Sequence, residues 1–237
     1  MSLLSVAQDV TDMIGFTRPS AIVSSTDALA RQILSLAKET LEELGRMDWP
    51  ALEIPYTFNT VVDQSQYALP ADFGREVGDS VYVSGQYQSL RGSLTAADWQ
   101  RQKSGMQANL GRYRFRIFGL PTMLNITPVP SKVETLVMEY QTTYRVQQTD
   151  STYKNTFFAD TDVSLMPEEL LKKGLKWRLR HAKGLDYSEE FNDYEMSRAA
   201  RLAQAMSMGS MPVAFRSGLD NAEGIGNMYM PEGGYGS

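Results

Sequence analysis

Apolar residues recur every three or four positions between Pro167 and Met208, in two runs that meet near Gly184–Asp186. This period predicts a helical hairpin. In the first run Leu171, Leu175, Leu179 and Ala182 share a stripe, with Lys172, Lys173, Lys176 and Arg180 off it. Pro167 suits the first helical position, where its missing N–H costs nothing, and Glu168 and Glu169 follow where the helix dipole favours negative charge. Gly184 reads as the stop, and Asp186 with Glu189 has the spacing of a capping box. The second stripe is Tyr187, Phe191, Tyr194, Arg198, Leu202 and Met206, and the small residues Ala199, Ala200, Ala203 and Ala205 leave room for a close neighbour.

Two more helical patterns stand at the other end of the chain. Leu3, Ala7, Val10 and Ile14 follow Ser2 as cap and end at Gly15. Ala30, Ile33, Leu34, Ala37, Leu41 and Leu44 follow the capping cluster Ser24–Asp27 and run to Gly45. This stripe is apolar enough to pack against the distant hairpin, which would make the middle of the chain an insertion.

That middle changes period. From Glu53 to about Val146 short β-type runs alternate with Gly, Pro, Asn and Asp, the clearest being Tyr56–Phe58, Val81–Val83, Tyr113–Ile117 and Leu136–Tyr140. Gly119–Thr122 turns one hairpin, whose return strand is Met123–Thr127 and whose end is Pro128-Val-Pro130. Thr95 with Asp98 starts a helical turn around Trp99. The expected insert is a small antiparallel sandwich or barrel. Gln147–Asp162 is polar and reads as a linker or exposed loop. After Met208 glycines and prolines rule out a separate core, yet Met211, Val213, Phe215, Leu219, Ile225, Met228, Tyr229, Met230 and Tyr235 recur as apolar anchors. An inert spacer would not need them, so this segment reads as an arm that docks on a neighbouring subunit or another partner.

The pattern thus predicts an α+β chain: a helical bundle with an inserted small antiparallel β domain and an extended C-terminal arm. The expected divisions are 1–52 for the first helices, 53–147 for the insert, 148–208 for the loop and hairpin, and 209–237 for the arm.

Composition narrows the function classes. The chain has 237 residues, no cysteine and one histidine, so thiolate metal sites, disulfides and the usual zinc sets are excluded within one chain. The net charge of −5 opposes nucleic acid for the surface as a whole. Apolar runs are too short for a membrane span, and Asp9 interrupts any signal-peptide pattern, so a cytosolic product is expected.

No motif carries catalysis. Asp72-Phe73-Gly74 spells a kinase metal-binding triplet, but the strand lysine and catalytic loop are missing, which leaves a turn after a strand. Asp160 and Asp162 offer two oxygens to Mg²⁺ without a third ligand, and loop or cap roles suit them better. His181 lies among Arg178, Arg180 and Lys183 with no orienting carboxylate, so it reads as a surface or packing residue. Gly224-Ile-Gly226 neither follows a strand nor precedes a helix. No enzyme, cofactor or metal is expected. The one charged patch is Arg101, Lys103, Arg112, Arg114 and Arg116, five cations without an intervening acid. It could touch phosphate, but in an acidic chain a solvated face or a subunit or partner contact fits better.

The order helix, helix, β insert, helical hairpin and tail resembles the head-to-tail adaptor (connector) proteins of tailed bacteriophages. Tyr67-Ala-Leu-Pro-Ala-Asp-Phe73, Leu90, Trp99, Tyr113–Ile117 ahead of Pro128-Val-Pro130, Leu136–Tyr140 and Leu165–Leu171 carry the resemblance, over about residues 20 to 208. It implies a virion structural protein at the neck between head and tail, made in the host cytoplasm. It also implies a homo-oligomeric ring, a dodecamer, docked under the portal protein and joined to a tail or nozzle protein. Genomic DNA would pass through its axial channel without specific binding. A stopper or tail-completion ring one layer lower is an alternative, and a nucleic-acid-binding accessory protein using the arginine patch is another.

Overall fold

The computed structural model describes residues 1–78, 80–86, 89–104 and 112–207. The expected arm therefore lies outside the described residues. The chain is α+β: among the described residues four of five helices build a bundle, and small antiparallel sheets occupy the middle.

The bundle forms around α4 (Glu168–Ala182), which packs against α1 (Leu3–Ile14), α2 (Ala28–Leu44) and α5 (Ser188–Ser207). Each helix starts and stops for a local reason. The Ser2 side chain accepts the Ser5 amide, Asp27 accepts the Ala30 amide, and Gly15 closes α1 at φ 81°. α4 ends in a left-handed turn at Gly184, φ 68°, where the Leu185 amide reaches back to the Arg180 carbonyl. Pro167 stands one position earlier than expected, as the N-cap, with its carbonyl accepting the Leu170 and Leu171 amides. The expected capping box is not formed. Asp186 instead accepts both the amide and the hydroxyl of Ser188, at 3.1 and 2.9 Å, because the helix begins at Ser188.

Leu170, Leu171, Leu175 and Leu179 bury fully, together with Leu3, Val6, Ala7, Val10, Ile33, Ala37, Leu41 and Leu44. Ala182, expected on the stripe, is exposed because the first helix ends there. α5 buries far less of its stripe. Tyr194 is inaccessible to solvent, whereas Phe191 is exposed.

The core of the bundle is also partly ionic. Arg178, only 6% exposed, donates from Nη2 to Glu43 of α2, and Glu43 also accepts from Arg198 Nη1 at 2.7 Å and the Tyr194 hydroxyl at 3.1 Å. One carboxylate thus ties α2 to α4 and α5. Burial alone would raise its pKa, but the Arg178 bond and charge, with Tyr194 and Arg198, hold it below its ordinary value. The helices can approach this closely because of Gly174, where an added Cβ would lie 2.5 Å from Thr40 Cγ2 and 3.1 Å from Tyr194 Cε2.

A 3₁₀ turn at Pro50–Leu52 leads out of the bundle into β1 (Glu53–Asn59), followed by β2 (Gln66–Ala68), β3 (Phe73–Glu76), β4 (Tyr82–Val83) and α3 (Ala96–Ser104). The hairpin β5 (Arg114–Phe118) and β6 (Met123–Thr127) follows, and β7 (Thr135–Thr142) returns to the bundle. β7 is the centre of one sheet, with β1 on one side and β3 and β4 on the other. β2, β6 and β5 form the second. Both contribute to one apolar cluster that includes Tyr67, Val83, Phe115, Leu124, Ile126, Leu136 and Met138, so the insert is a small sandwich.

β2 and β3 lie outside the clearest expected strands, and of the triplet expected to form a turn after a strand only Asp72 is in the turn, with Phe73 and Gly74 in β3. Asp72 stands in the turn before β3. Its carboxylate accepts the Thr142 hydroxyl at 2.7 Å and the Tyr140 hydroxyl at 3.0 Å, which suffices to explain the kinase-like triplet. Burial and this carboxylate push Tyr140 up to about 12.

The polar segment before α4 is mostly exposed but is no plain linker. β8 (Val146–Gln147), β9 (Tyr153–Lys154) and β10 (Val163–Ser164) make a third small sheet, and Phe157 joins the bundle core. Asp160 Oδ1 accepts the Ile22 and Val23 amides, Asp162 Oδ2 accepts those of Phe158 and Ala159, and the Leu3 and Leu4 amides donate to the Asp162 and Asp160 carbonyls. These two aspartates fasten loops and α1.

Candidate interaction surface

The arginines of β5 are set by strand alternation. Phe115 is buried in the sandwich core, with Tyr113 and Ile117 packed against it, so Arg114 and Arg116 project from the other face. Across the ladder Arg114 stands opposite Thr127 and Arg116 opposite Asn125, which in turn pairs with Gln66 of β2. That face carries cations and neutral polar groups without a carboxylate in the ladder. Arg116 also lies 4.6 Å over the Phe118 ring.

A residue absent from the sequence expectation joins them. The segment 91–94 runs beside the outer edge of β5: the Phe115 amide donates to the Arg91 carbonyl and the Leu94 amide to the Phe115 carbonyl, with Arg91 and Arg114 as bridge partners. Gly92 permits the approach, since a Cβ there would lie 2.5 Å from the Phe115 carbonyl oxygen. Arg91 is thereby placed next to Arg114. Its position depends on a contact across more than twenty residues, for which no local signal exists.

The other two expected cations sit differently. Arg101 and Lys103 lie on α3, where Arg101 pairs with Asp98 at 3.2 Å and Lys103 stands 5.4 Å over the Trp99 ring. The Asp98 carboxyl also accepts the Thr95 hydroxyl at 2.8 Å, and Thr95 Oγ1 accepts the Asp98 amide at 3.2 Å, forming the expected helix start. Arg101 is thus internally compensated, whereas Arg91, Arg112, Arg114 and Arg116 form no ion pair among the described residues.

Arg112 also lines a cavity of about 300 Å³ with Tyr113, Pro128, Val129, Lys132 and Glu134. Glu134 is largely buried and pairs with Lys132 at 2.9 Å and Gln86 at 3.1 Å. Burial would raise its carboxyl, but Lys132 and Tyr113 hold it below the ordinary value, and burial beside Glu134 pushes Tyr113 up to about 12. At this end of the sandwich the Thr60 amide donates to the Glu134 carbonyl and the Asp63 amide to that of Pro130. The loops so joined expose Val61, Val62, Val129 and Val133. Unpaired cations and exposed valines on neighbouring loops suit contact with protein more than with solvent.

His181 is exposed, its ring edge-on to Tyr187 at 4.7 Å. Among the described residues no group of three or more His, Cys, Asp or Glu is placed to hold a metal, and no helix is long and apolar enough to cross a membrane. The nine apolar anchors from Met211 to Tyr235 and Gly224-Ile-Gly226 lie outside the described residues.

No curated protein matches this chain. The family described as SU10 adaptor protein matches residues 1–222, which take in the bundle, the sandwich and the start of the C-terminal segment. A match over nearly the whole chain, on the bipartite fold that the resemblance implies, means that the protein belongs to the SU10 adaptor family and is a phage adaptor protein.

Proposed function

We propose that this adaptor is a virion structural protein that forms a ring, a dodecamer, under the portal and joins the DNA-filled head to the tail. The observation that carries the reading is the family match across residues 1–222. In this reading the bundle forms the ring, and the sandwich, with its arginine face and exposed valines, meets a neighbouring subunit or a tail or nozzle protein. The genome passes through the axial channel without specific binding, for which an acidic chain of net charge −5 is suited. The role is structural, not catalytic. Residues 209–237 act as the docking arm, through Met211, Val213, Phe215, Leu219, Ile225, Met228, Tyr229, Met230 and Tyr235.

The test uses portal-bearing heads and two purified proteins, the full chain and a chain lacking residues 210–237. The full chain should decorate the portal as a ring visible in class averages. The truncated chain should keep its helical circular dichroism but fail to attach. Failure of the full chain to bind heads would overturn the adaptor placement. Full occupancy by the truncated chain would overturn the arm alone.

A further inference from the structure

A second cationic feature lies where bundle and sandwich join. A cleft of about 260 Å³ is lined by Arg46 just beyond α2, Arg75 on β3, and Arg145 between β7 and β8. Two glycines shape it. A Cβ on Gly45 would fall 2.1 Å from Arg145 Nε and 2.5 Å from its Cδ, so the guanidinium rests directly on the backbone at the end of α2. A Cβ on Gly74 would fall 2.7 Å from the Gln141 carbonyl oxygen.

The donors of this cleft are unevenly used. Arg75 is paired with Asp48 and bonds Gln141 Oε1 at 2.9 Å, while Gln141 Nε2 donates to the same Asp48 oxygen at 3.3 Å. The hydroxyls of Thr142 and Thr143, also in the lining, donate to the Asp72 carboxylate and carbonyl. Arg145 Nε is buried and makes no hydrogen bond among the described residues, and Arg46 and Arg145 form no ion pair there. Burial, offset in part by Glu42 and reinforced by Arg46, lowers the Arg145 pKa from its ordinary value. The buried Arg145 donor without an acceptor, on a guanidinium that Glu42 offsets only in part, carries a cost that an anion relieves, and exposed Arg46 adds a second positive charge beside it.

We propose that this cleft is a carboxylate site, taking an Asp or Glu side chain of another polypeptide between Arg145 and Arg46. The carboxylate of Asp48, gripped by Arg75 and Gln141 on the same rim, shows the recognition that these groups provide. Guanidiniums match carboxylates in paired geometry, and a cleft this small fits a side chain. The negative chain as a whole disfavours a nucleic-acid phosphate. An occupant would touch both the end of α2 and the end of β7, fixing the sandwich relative to the bundle. The site stands whether or not the chain joins a head to a tail.

The test titrates the full chain with sodium acetate and, separately, sodium phosphate, at ionic strength held constant with sodium chloride. The arginine Nε–Hε NMR signals report occupancy. Acetate should shift the Arg145 signal saturably. Affinity should fall at least tenfold in Arg145→Gln and severalfold in Arg46→Gln, whose exposed side chain can be changed without touching the core. If Arg145→Gln does not fold, Arg46→Gln decides. Shifts that never saturate, or unchanged affinity in Arg46→Gln, would overturn the site. Phosphate binding more than tenfold tighter than acetate would overturn the carboxylate assignment.

Discussion

Replacing Glu43 with Gln removes one charge while keeping the shape of the side chain. Arg178, 6% exposed, and Arg198 then lose their shared counter-ion, and Tyr194 and both guanidiniums must share one amide oxygen. Breaking a buried ion pair on one side costs about 3–5 kcal/mol, and because Glu43 retains some solvent access and Glu39 and Glu195 stay beside Arg178 and Arg198, the lower end, about 3 kcal/mol, is expected. With a urea m-value of about 3 kcal/mol/M, the unfolding midpoint of Glu43→Gln should fall by about 1 M at pH 7. The pH dependence supplies an independent sign. Glu43 has a folded pKa below its ordinary 4.5, so its stabilisation is complete above that value and is lost as pH falls through the lowered folded value. The gap between wild type and Glu43→Gln should therefore close in acid. A midpoint shift under about 0.3 M at pH 7, or a gap undiminished at pH 3, would refute the view that this carboxylate clamps three helices.

Gly174→Ala should destabilise by about 1 kcal/mol, since overpacking of about 1–3 kcal/mol against Thr40 and Tyr194 outweighs the helix-propensity gain of about 1 kcal/mol. Adding Thr40→Ser, which removes the clashing methyl but keeps the hydroxyl bond to Leu36, should recover most of that loss in urea unfolding. Asp160→Ala should cost about 2 kcal/mol by leaving the Ile22 and Val23 amides without their acceptor, with faster hydrogen exchange at those two amides as the local readout. Changing Arg112, Arg114 and Arg116 together to Ser should leave any DNA affinity of the purified chain nearly unchanged while reducing attachment to its protein partner. A large loss of salt-sensitive DNA binding in a gel shift would point the face at nucleic acid instead.

The bundle was legible because its helices carry local signals: caps at Ser2 and Asp27, stops at Gly15 and Gly184, and apolar residues at three- and four-residue spacing. What escaped depends on partners far away in sequence. Arg178 reads as one more cation on a basic helix, yet it is buried because Glu43 stands opposite across the bundle. β2 and β3 lack an alternating pattern of their own and exist through pairing with β6 and β7. Of the candidate surface, Arg112, Arg114 and Arg116 followed from strand alternation in Arg112–Phe118. Arg91 did not, because its place beside Arg114 is set by a bridge. The compensation of Arg101 by Asp98 was within local reach, since an acid three residues earlier on a helix faces the cation one turn on.

The ladder between β1 and β7 pairs Glu53 with Gln141, so the chain enters and leaves the sandwich side by side. α2 and α4 are separated by a long stretch of chain, and bringing them together from an unfolded state pays the closure entropy of that whole loop. Once β1 and β7 are zipped, the free path between the helices shrinks roughly threefold, which lowers the closure cost by about 1 kcal/mol. The sandwich thus acts as a staple for the bundle. Because β1 to β7 all precede α4 in the chain, this staple is synthesised before the helix it serves.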